Sequence, residues 1–234
     1  MSQAPYNYRN TASVLHQIEE KCGRSPGEVK LLVVSKTMPP EVLKELYDEC
    51  GIREFGENRE PELAMKTAVL PDDIIWHFIG PLQSNKVRKV VKMASVIHSV
   101  SSVPLIERIE RIAQEEGRTP EFLLEVNVSG EASKGGFSPD ELFSAADVAK
   151  NCVNARWRGL MTMAPLDADD DTLEEIFCTL AKLKAQCEER CQITLPELSM
   201  GMSGDFPIAV SQGATIVRIG SRIFEGVERI SAAR

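Results

Sequence analysis

A lysine closes the apolar run KLLVVSKT at residues 30–37, and a lysine so placed can act as a nucleophile. Leu31 to Val34 are four consecutive apolar residues, followed by Ser35, Lys36 and Thr37 and then by Met38-Pro39-Pro40. Such a run reads as a buried strand of an α/β protein with Lys36 at its C-terminal end, where these folds gather their chemistry. An amine half-buried there loses hydration and becomes reactive. The competing reading is a strand-end lysine whose ammonium snorkels to water. Two further clusters, Ser203-Gly204-Asp205 and Arg218-Ile219-Gly220-Ser221, bring glycine and a hydroxyl together at strand ends. The first leads into a short helix whose leading N–H groups would offer an anion site. The second lets backbone amides approach a ligand beside a hydroxyl. Each glycine alone reads as a turn, but their joint position on the last two strands suits a phosphate.

The elements that would position these residues alternate strictly. Strand candidates fall at 31–36, 54–58, 76–80, 95–100, 121–128, 156–163, 197–203 and 215–221, with helical patterns between them. Val42, Leu43, Leu46 and Tyr47 share one helix face, as do Leu173, Ile176, Phe177 and Leu180. The acids of DADDDTLEE suit the start of the second of these helices. Alternation of this kind requires parallel strands joined by crossover helices. Eight units favour a closed α/β fold, a single (β/α)8 TIM barrel spanning residues 1–234. An open doubly wound sheet would carry GxGxxG after its first strand, where this chain has SKTMPPE. An extra N-terminal helix is expected over residues 11–22, with Val14, Leu15, Ile18 and Cys22 on its packed face. In a barrel the strand ends converge. Lys36, Asn58, His77 with Gly80, Asn127, Met161 to Met163, Ser203 and the segment from Arg218 to Ser221 are therefore expected at one mouth.

Composition narrows the function. With 35 acidic and 27 basic side chains the formal net charge is -8, so the chain has no general attraction to nucleic acid and any anion needs a local site. Of six cysteines none is paired as CxxC, and Cys187 and Cys191, four apart on one helix face, read as ordinary thiols. No secretory leader or membrane span is visible, which makes a reducing cytoplasm the expected compartment.

The segments VVSKT at 33–37, FGENR at 55–59, WHFIGPLQSNK at 76–86, GLMTMAP at 159–165, LSMGMSGDF at 198–206 and VRIGSRIFEG at 217–226 are found in order. Together they make the chain resemble the YggS/PROSC-type pyridoxal phosphate homeostasis proteins, with the barrel of alanine racemase as a more distant likeness. Pro81 and Glu225 depart from the usual pattern of that family. The resemblance implies pyridoxal 5′-phosphate as cofactor, held as a lysine aldimine on Lys36. It further implies that Ser203, Gly220 and Ser221 hold the phosphate with backbone help from Met202, that Arg218 faces the pyridine nitrogen, and that Asn58 lies near the ring and its hydroxyl. His77 reads as a strand-end histidine satisfied by a backbone carbonyl, with a role as a base as the sharper alternative. In QSNK, Ser84 or Asn85 reads as a helix cap, and a part for Asn85 or Lys86 in ligand passage stays open. SKGGF at 133–137 reads as a glycine loop, with a lid as the less favoured alternative.

Two functional classes follow. The first is a monomeric, non-catalytic carrier in vitamin B6 homeostasis, with apo forms of pyridoxal phosphate enzymes as recipients. The alternative is a racemase-type enzyme, which in the relatives needs a tyrosine from a further C-terminal domain. The chain ends at Arg234 soon after its last strand, and Tyr6, Tyr8 and Tyr47 lie at no expected strand mouth. A barrel enzyme using Lys36 as an aldolase does is a third possibility.

Overall fold

The computed structural model describes residues 2–131 and 134–229. Eight parallel strands close into a barrel in sequence order, with β1 hydrogen-bonded to both β2 and β8. The strands are β1 Lys30–Val34, β2 Glu54–Glu57, β3 Ile75–Phe78, β4 Val96–Val100, β5 Glu121–Glu125, β6 Arg156–Met161, β7 Glu197–Ser199 and β8 Ile216–Ile219. The helices are α1 Ala4–Lys21, α2 Pro40–Cys50, α3 Glu60–Thr67, α4 Val87–Met93, α5 Val103–Glu116, α6 Pro139–Ala149, α7 Asp170–Cys191 and α8 Phe206–Ser211. The fold is the expected TIM barrel with an additional N-terminal helix.

Local chemistry accounts for the boundaries. Proline stands at the first or second position of α1, α2, α3, α5, α6 and α8, where a missing N–H costs nothing. Ser138 and Glu141 form a reciprocal capping box on α6, and the Asp169 side chain accepts from the Thr172 N–H at 2.9 Å on α7. Gly51 and Gly117 end α2 and α5 in the left-handed region. Several strands stop sooner than their apolar patterns suggest. β1 ends at Val34 because Ser35 turns the chain, its carbonyl accepting from Met38 N–H at 3.0 Å. β7 stops at Ser199 because Gly201, at φ 90°, bends the chain away.

Alternation of side chains divides each strand between two environments. Val33, Phe55, Phe78, Ile97, Leu124, Leu198, Val217 and Ile219 join the apolar cluster between strands and helices. Leu32, Leu123, Met161 and Ile216 are buried apart from that cluster. Their alternating register with the outward set places them on the barrel's inner side. The N-terminal helix starts seven residues earlier than expected and buries Leu15, whereas Cys22 lies beyond its end and is exposed. That correction follows from the tight turn at Cys22, whose N–H already bonds back to Ile18 and Glu19. All cysteines are free, and burial pushes the Cys187 thiol up to about 12, which makes it inert. Among the described residues no helix is long and apolar enough to cross a membrane, and no group of three acidic, histidine or cysteine side chains is placed to hold a metal.

Gly159 marks the tightest strand contact. A Cβ there would lie 1.8 Å from the Glu197 carbonyl oxygen of the neighbouring strand, whereas a Cβ on Gly135 meets nothing within 4 Å. Gly159→Ala is therefore expected to cost on the order of 2 to 4 kcal/mol, and Gly135→Ala less than about 0.5 kcal/mol. Urea denaturation of both variants checks the contrast.

Candidate functional site

A cavity of about 560 Å³ opens at the C-terminal mouth of the barrel, within the size range of small-molecule sites. Lys36, Asn58, Met202, Ser203, Arg218, Gly220 and Ser221 all line it, although they are spread over 186 positions (221 − 36 + 1) of the chain. Four elements bring them there. Lys36 stands two residues past β1, Asn58 directly follows β2, Arg218 lies within β8 just ahead of Gly220 and Ser221, and Met202 and Ser203 occupy the bend between β7 and α8. Pro81 and the apolar rim of Met163, Pro165 and Leu166 complete the wall.

Lys36 is exposed rather than half-buried, and it has no ion-pair or hydrogen-bond partner among the described residues. Both neighbours are pinned. The Ser35 N–H donates to the Gly56 carbonyl at 2.9 Å and its hydroxyl to Glu57 Oε1 at 2.7 Å. The Ser35 carbonyl accepts from Lys66 Nζ at 2.8 Å, and Lys66 is itself paired with Glu57, both side chains being fully buried. Burial pushes the Glu57 carboxyl up against the opposing pull of Lys66. On the other side Thr37 has φ 63°, a strained value for a β-branched residue, and its N–H donates to Glu62 Oε2 at 3.1 Å. The backbone is thus rigid on either side of an amine that is free to react.

Unused polar groups mark where a ligand can bind. Among the described residues, none accepts from the backbone N–H of Ser203, Gly204, Gly220 or Ser221. Asn58 Oδ1 is buried and has no partner there either. A buried oxygen without a donor is costly unless a ligand supplies one. A Cβ on Gly220 would lie 3.0 Å from the Val34 carbonyl oxygen, so any side chain there would crowd β1. Asp205 faces the same cavity, but its carboxylate accepts from the Met202 N–H and so shapes the bend from inside.

Arg218 is 5% exposed. Its Nη1 donates to Ser199 Oγ at 2.7 Å and its Nη2 to the Thr162 carbonyl at 2.9 Å, leaving three of its five N–H groups for the cavity it lines. Burial lowers its pKa to about 10, against the support of Asp205 and Glu125, so it remains a cation at neutral pH. Behind it, Ser199 Oγ lies 2.8 Å from His98 Nδ1, His98 Nε2 lies 2.9 Å from His77 Nδ1, and His77 Nε2 lies 2.9 Å from Glu54 Oε2.

The remaining expectations are redistributed. His77 sits inside the barrel between Glu54 and His98, not against a backbone carbonyl. Asn127 ties its own loop, donating to the Glu131 carbonyl at 2.9 Å, and does not line the cavity. Neither Ser84 nor Asn85 caps a helix by its side chain; a 3-10 turn at Ser84–Lys86 leads into α4 without a side-chain cap. Lys86 pairs with Glu60 at 2.9 Å, away from the cavity wall. In the loop read at 133–137, Ser133 lies outside the described residues, and Gly136 packs against the end of β5, where a Cβ would be 2.9 Å from Asn127 N. Thr162 falls within the segment Met161 to Met163 expected at the mouth, whereas no role was expected for His98, Ser199 or Glu54. The one available signal was a second histidine at the centre of a strand, in SVIHSV.

The family described as alanine racemase, N-terminal domain, matches residues 10–226. The chain is 40% identical over 215 residues to the pyridoxal phosphate homeostasis protein of Aquifex aeolicus (strain VF5), covering 90% of this chain and 94% of that one. It is 38% identical over 229 residues to the protein of the same name from Vibrio alginolyticus, covering 96% and 97%. Its fold is similar to that of PipY from Synechococcus elongatus PCC7942, solved with PLP bound, at a TM-score of 0.81 and 38% identity over 91% of this chain and 99% of that one.

The two histidines make stability depend on pH. Burial holds His77 below the ordinary value of 6.5, and burial with the nearby His77 and Arg218 holds His98 well below it. The unfolded chain therefore binds more protons below pH 6.5 than the folded one. Their contribution is complete above that value and is lost as the pH falls. Urea midpoints at about pH 7.5 and about pH 5.5 are expected to fall in the wild type and to fall less in His98→Asn. Equal falls would remove His98 as a cause.

Proposed function

The chain belongs to the alanine racemase N-terminal domain family and, within it, to the pyridoxal phosphate homeostasis proteins, and on that premise we propose that it binds pyridoxal 5′-phosphate and serves vitamin B6 homeostasis and cofactor supply. One observation carries the reading: a free lysine, a set of unpaired backbone donors, an orphaned amide oxygen and a buried guanidinium all face one cavity. When bound, the cofactor supplies an electrophilic aldehyde and an electron-withdrawing pyridine ring.

Each residue has a task that suits its chemistry. Lys36 Nζ is the covalent anchor, presented by a backbone that Ser35 and Thr37 hold still. The N–H groups of Ser203, Gly220 and Ser221, with the two serine hydroxyls, take the phosphate, which needs several converging donors, while Met202, whose N–H is spent on Asp205, only holds the bend that presents them. Asn58 Oδ1 accepts from the ring hydroxyl, which relieves its burial without a partner. Arg218 turns its remaining N–H groups to the ring nitrogen. A guanidinium has no acceptor, so it favours an unprotonated nitrogen and keeps the ring a weak electron sink.

The protein is accordingly a monomeric carrier, not a catalyst, and it passes the cofactor to apo forms of pyridoxal phosphate enzymes. Among the described residues no tyrosine lines the cavity: Tyr6 is 66% exposed on α1, and Tyr47 donates to Asp73 at 2.8 Å. A racemase needs an acid or base on the second face of its substrate, and the tyrosines stand elsewhere.

Borohydride reduction followed by peptide mapping is expected to find the pyridoxyl group on Lys36, and an adduct only on another lysine would overturn the assignment. Lys36→Ala is expected to abolish the visible absorbance of the covalent form while keeping weak phosphate-anchored binding. Arg218→Glu is expected to weaken cofactor retention and to speed α-proton exchange of amino acids, followed by deuterium uptake. Wild-type racemisation at ordinary enzyme rates, about 1 to 1000 per second, would place the protein among the enzymes.

A further inference from the structure

The contacts behind Arg218 form an unbroken line through the inside of the barrel. It runs from the cavity through Ser199 on β7, His98 on β4 and His77 on β3 to Glu54 on β2, which also accepts from Lys30 on β1 at 2.9 Å. Ser199, His98 and His77 are fully buried, while the Glu54 and Lys30 side chains are 28% and 35% exposed at the opposite end of the barrel. We propose that His98 and His77 are positioning residues for Arg218, forming with Ser199 and Glu54 a one-way hydrogen-bond chain that fixes where the guanidinium points. The link to the cofactor rests on the reading that Arg218 faces the ring nitrogen.

The direction of the chain follows from its two ends. Arg218 can only donate, and an ionised carboxylate can only accept. Burial works against the charge of Glu54, but the His77 and Lys30 hydrogen bonds prevail and hold its carboxyl at about 2, so it is ionised at neutral pH. His77 must therefore donate from Nε2 to Glu54, which leaves Nδ1 as an acceptor. His98 donates to it from Nε2 and accepts at Nδ1. The Ser199 hydroxyl gives its hydrogen to His98 Nδ1 and keeps its lone pairs for Arg218 Nη1. Every contact is satisfied with both imidazoles neutral and no added proton. The opposite sense would set an unprotonated His77 Nε2 against a carboxylate. The other charges nearby are Glu197 on β7, which acts on His77, and Asp205 ahead of α8 with Glu125 on β5, which act on Arg218; none interrupts the line.

The chain gives Arg218 a specific orientation. Ser199 holds Nη1 and the Thr162 carbonyl holds Nη2, so two bonds fix the guanidinium plane. If the chain ran the other way, His98 Nδ1–H would donate to Ser199 Oγ alongside Arg218, filling both lone pairs and leaving the serine hydrogen without its acceptor in His98. Glu54, at the far end of the barrel, is the group that forbids this.

Nitrogen-15 imidazole spectra of the cofactor-free protein provide the test. In the wild type both histidines are expected as the pure Nε2–H tautomer. His98 protonated at Nδ1, or averaging between tautomers, would overturn the proposal. Glu54→Gln puts a donor beside the acceptor at the same position, so both histidines are expected to lose the single-tautomer pattern; unchanged tautomers would also overturn it. Loading with ring-¹⁵N pyridoxal 5′-phosphate then reads the cavity end. The ring-nitrogen resonance is expected to move in Glu54→Gln and in Arg218→Lys. If Arg218→Lys moves it and Glu54→Gln does not, the positioning role is wrong. If Arg218→Lys leaves it in place, the placement of Arg218 at the ring is wrong, while the tautomers still decide the chain.

Discussion

A guanidinium held almost out of reach of water inside a barrel is the constraint around which much of this molecule is arranged. Removing such a charge from solvent costs several kcal/mol unless hydrogen bonds and countercharges replace the lost hydration. Arg218 receives both: Ser199 and the Thr162 carbonyl at hydrogen-bond distance, and the fields of Asp205 and Glu125 beyond them. Each partner is then tied to further structure. Thr162 donates its own hydroxyl to the Val126 carbonyl at 2.7 Å, which joins the ends of β5 and β6. Asp205 holds the bend that presents Ser203 and Gly204. The groups that neutralise the arginine are thus the same ones that shape the cavity in front of it.

Lys36 is handled in the opposite way. The arginine is enclosed, whereas the lysine is left exposed and its neighbours are fixed instead. The fully buried Glu57–Lys66 pair lies between β2 and α3, outside the barrel wall, and clamps Ser35 by both hydroxyl and carbonyl. A buried ion pair of this kind adds little net stability beyond well-packed apolar residues, yet removing one member leaves an isolated charge. Its value here is geometric. One end of the segment that carries Lys36 is locked by the pair, and the other is set by the left-handed Thr37.

Much of this was legible in the sequence because parallel barrels carry strong local signals. Apolar runs such as LLVV and prolines at helix starts locate strands and helices with little help from tertiary contacts. The cavity residues were legible because a closed barrel gathers strand ends, so Lys36, Asn58 and Arg218 meet as soon as the topology is known. The inner polar line was not, because it depends on which alternate side chains face inward at one level of eight strands. A serine in ELS and a histidine in SVIHSV give no sign that they lie 2.8 Å apart across 101 residues. The exposure of Lys36 was missed for a similar reason, since the strand ends two residues before the lysine and not upon it.

The division between an apolar layer outside the strands and a polar line within them also shapes the protein's thermal behaviour. Exposing apolar surface raises heat capacity on unfolding, whereas exposing polar surface lowers it. The large positive increment of this barrel therefore arises in the ring between strands and helices, where Phe55, Ile97 and Leu124 pack. The line from Ser199 to Glu54 contributes with the opposite sign. The curvature of stability with temperature is thus set by the outer ring, and the interior is left free to carry charge.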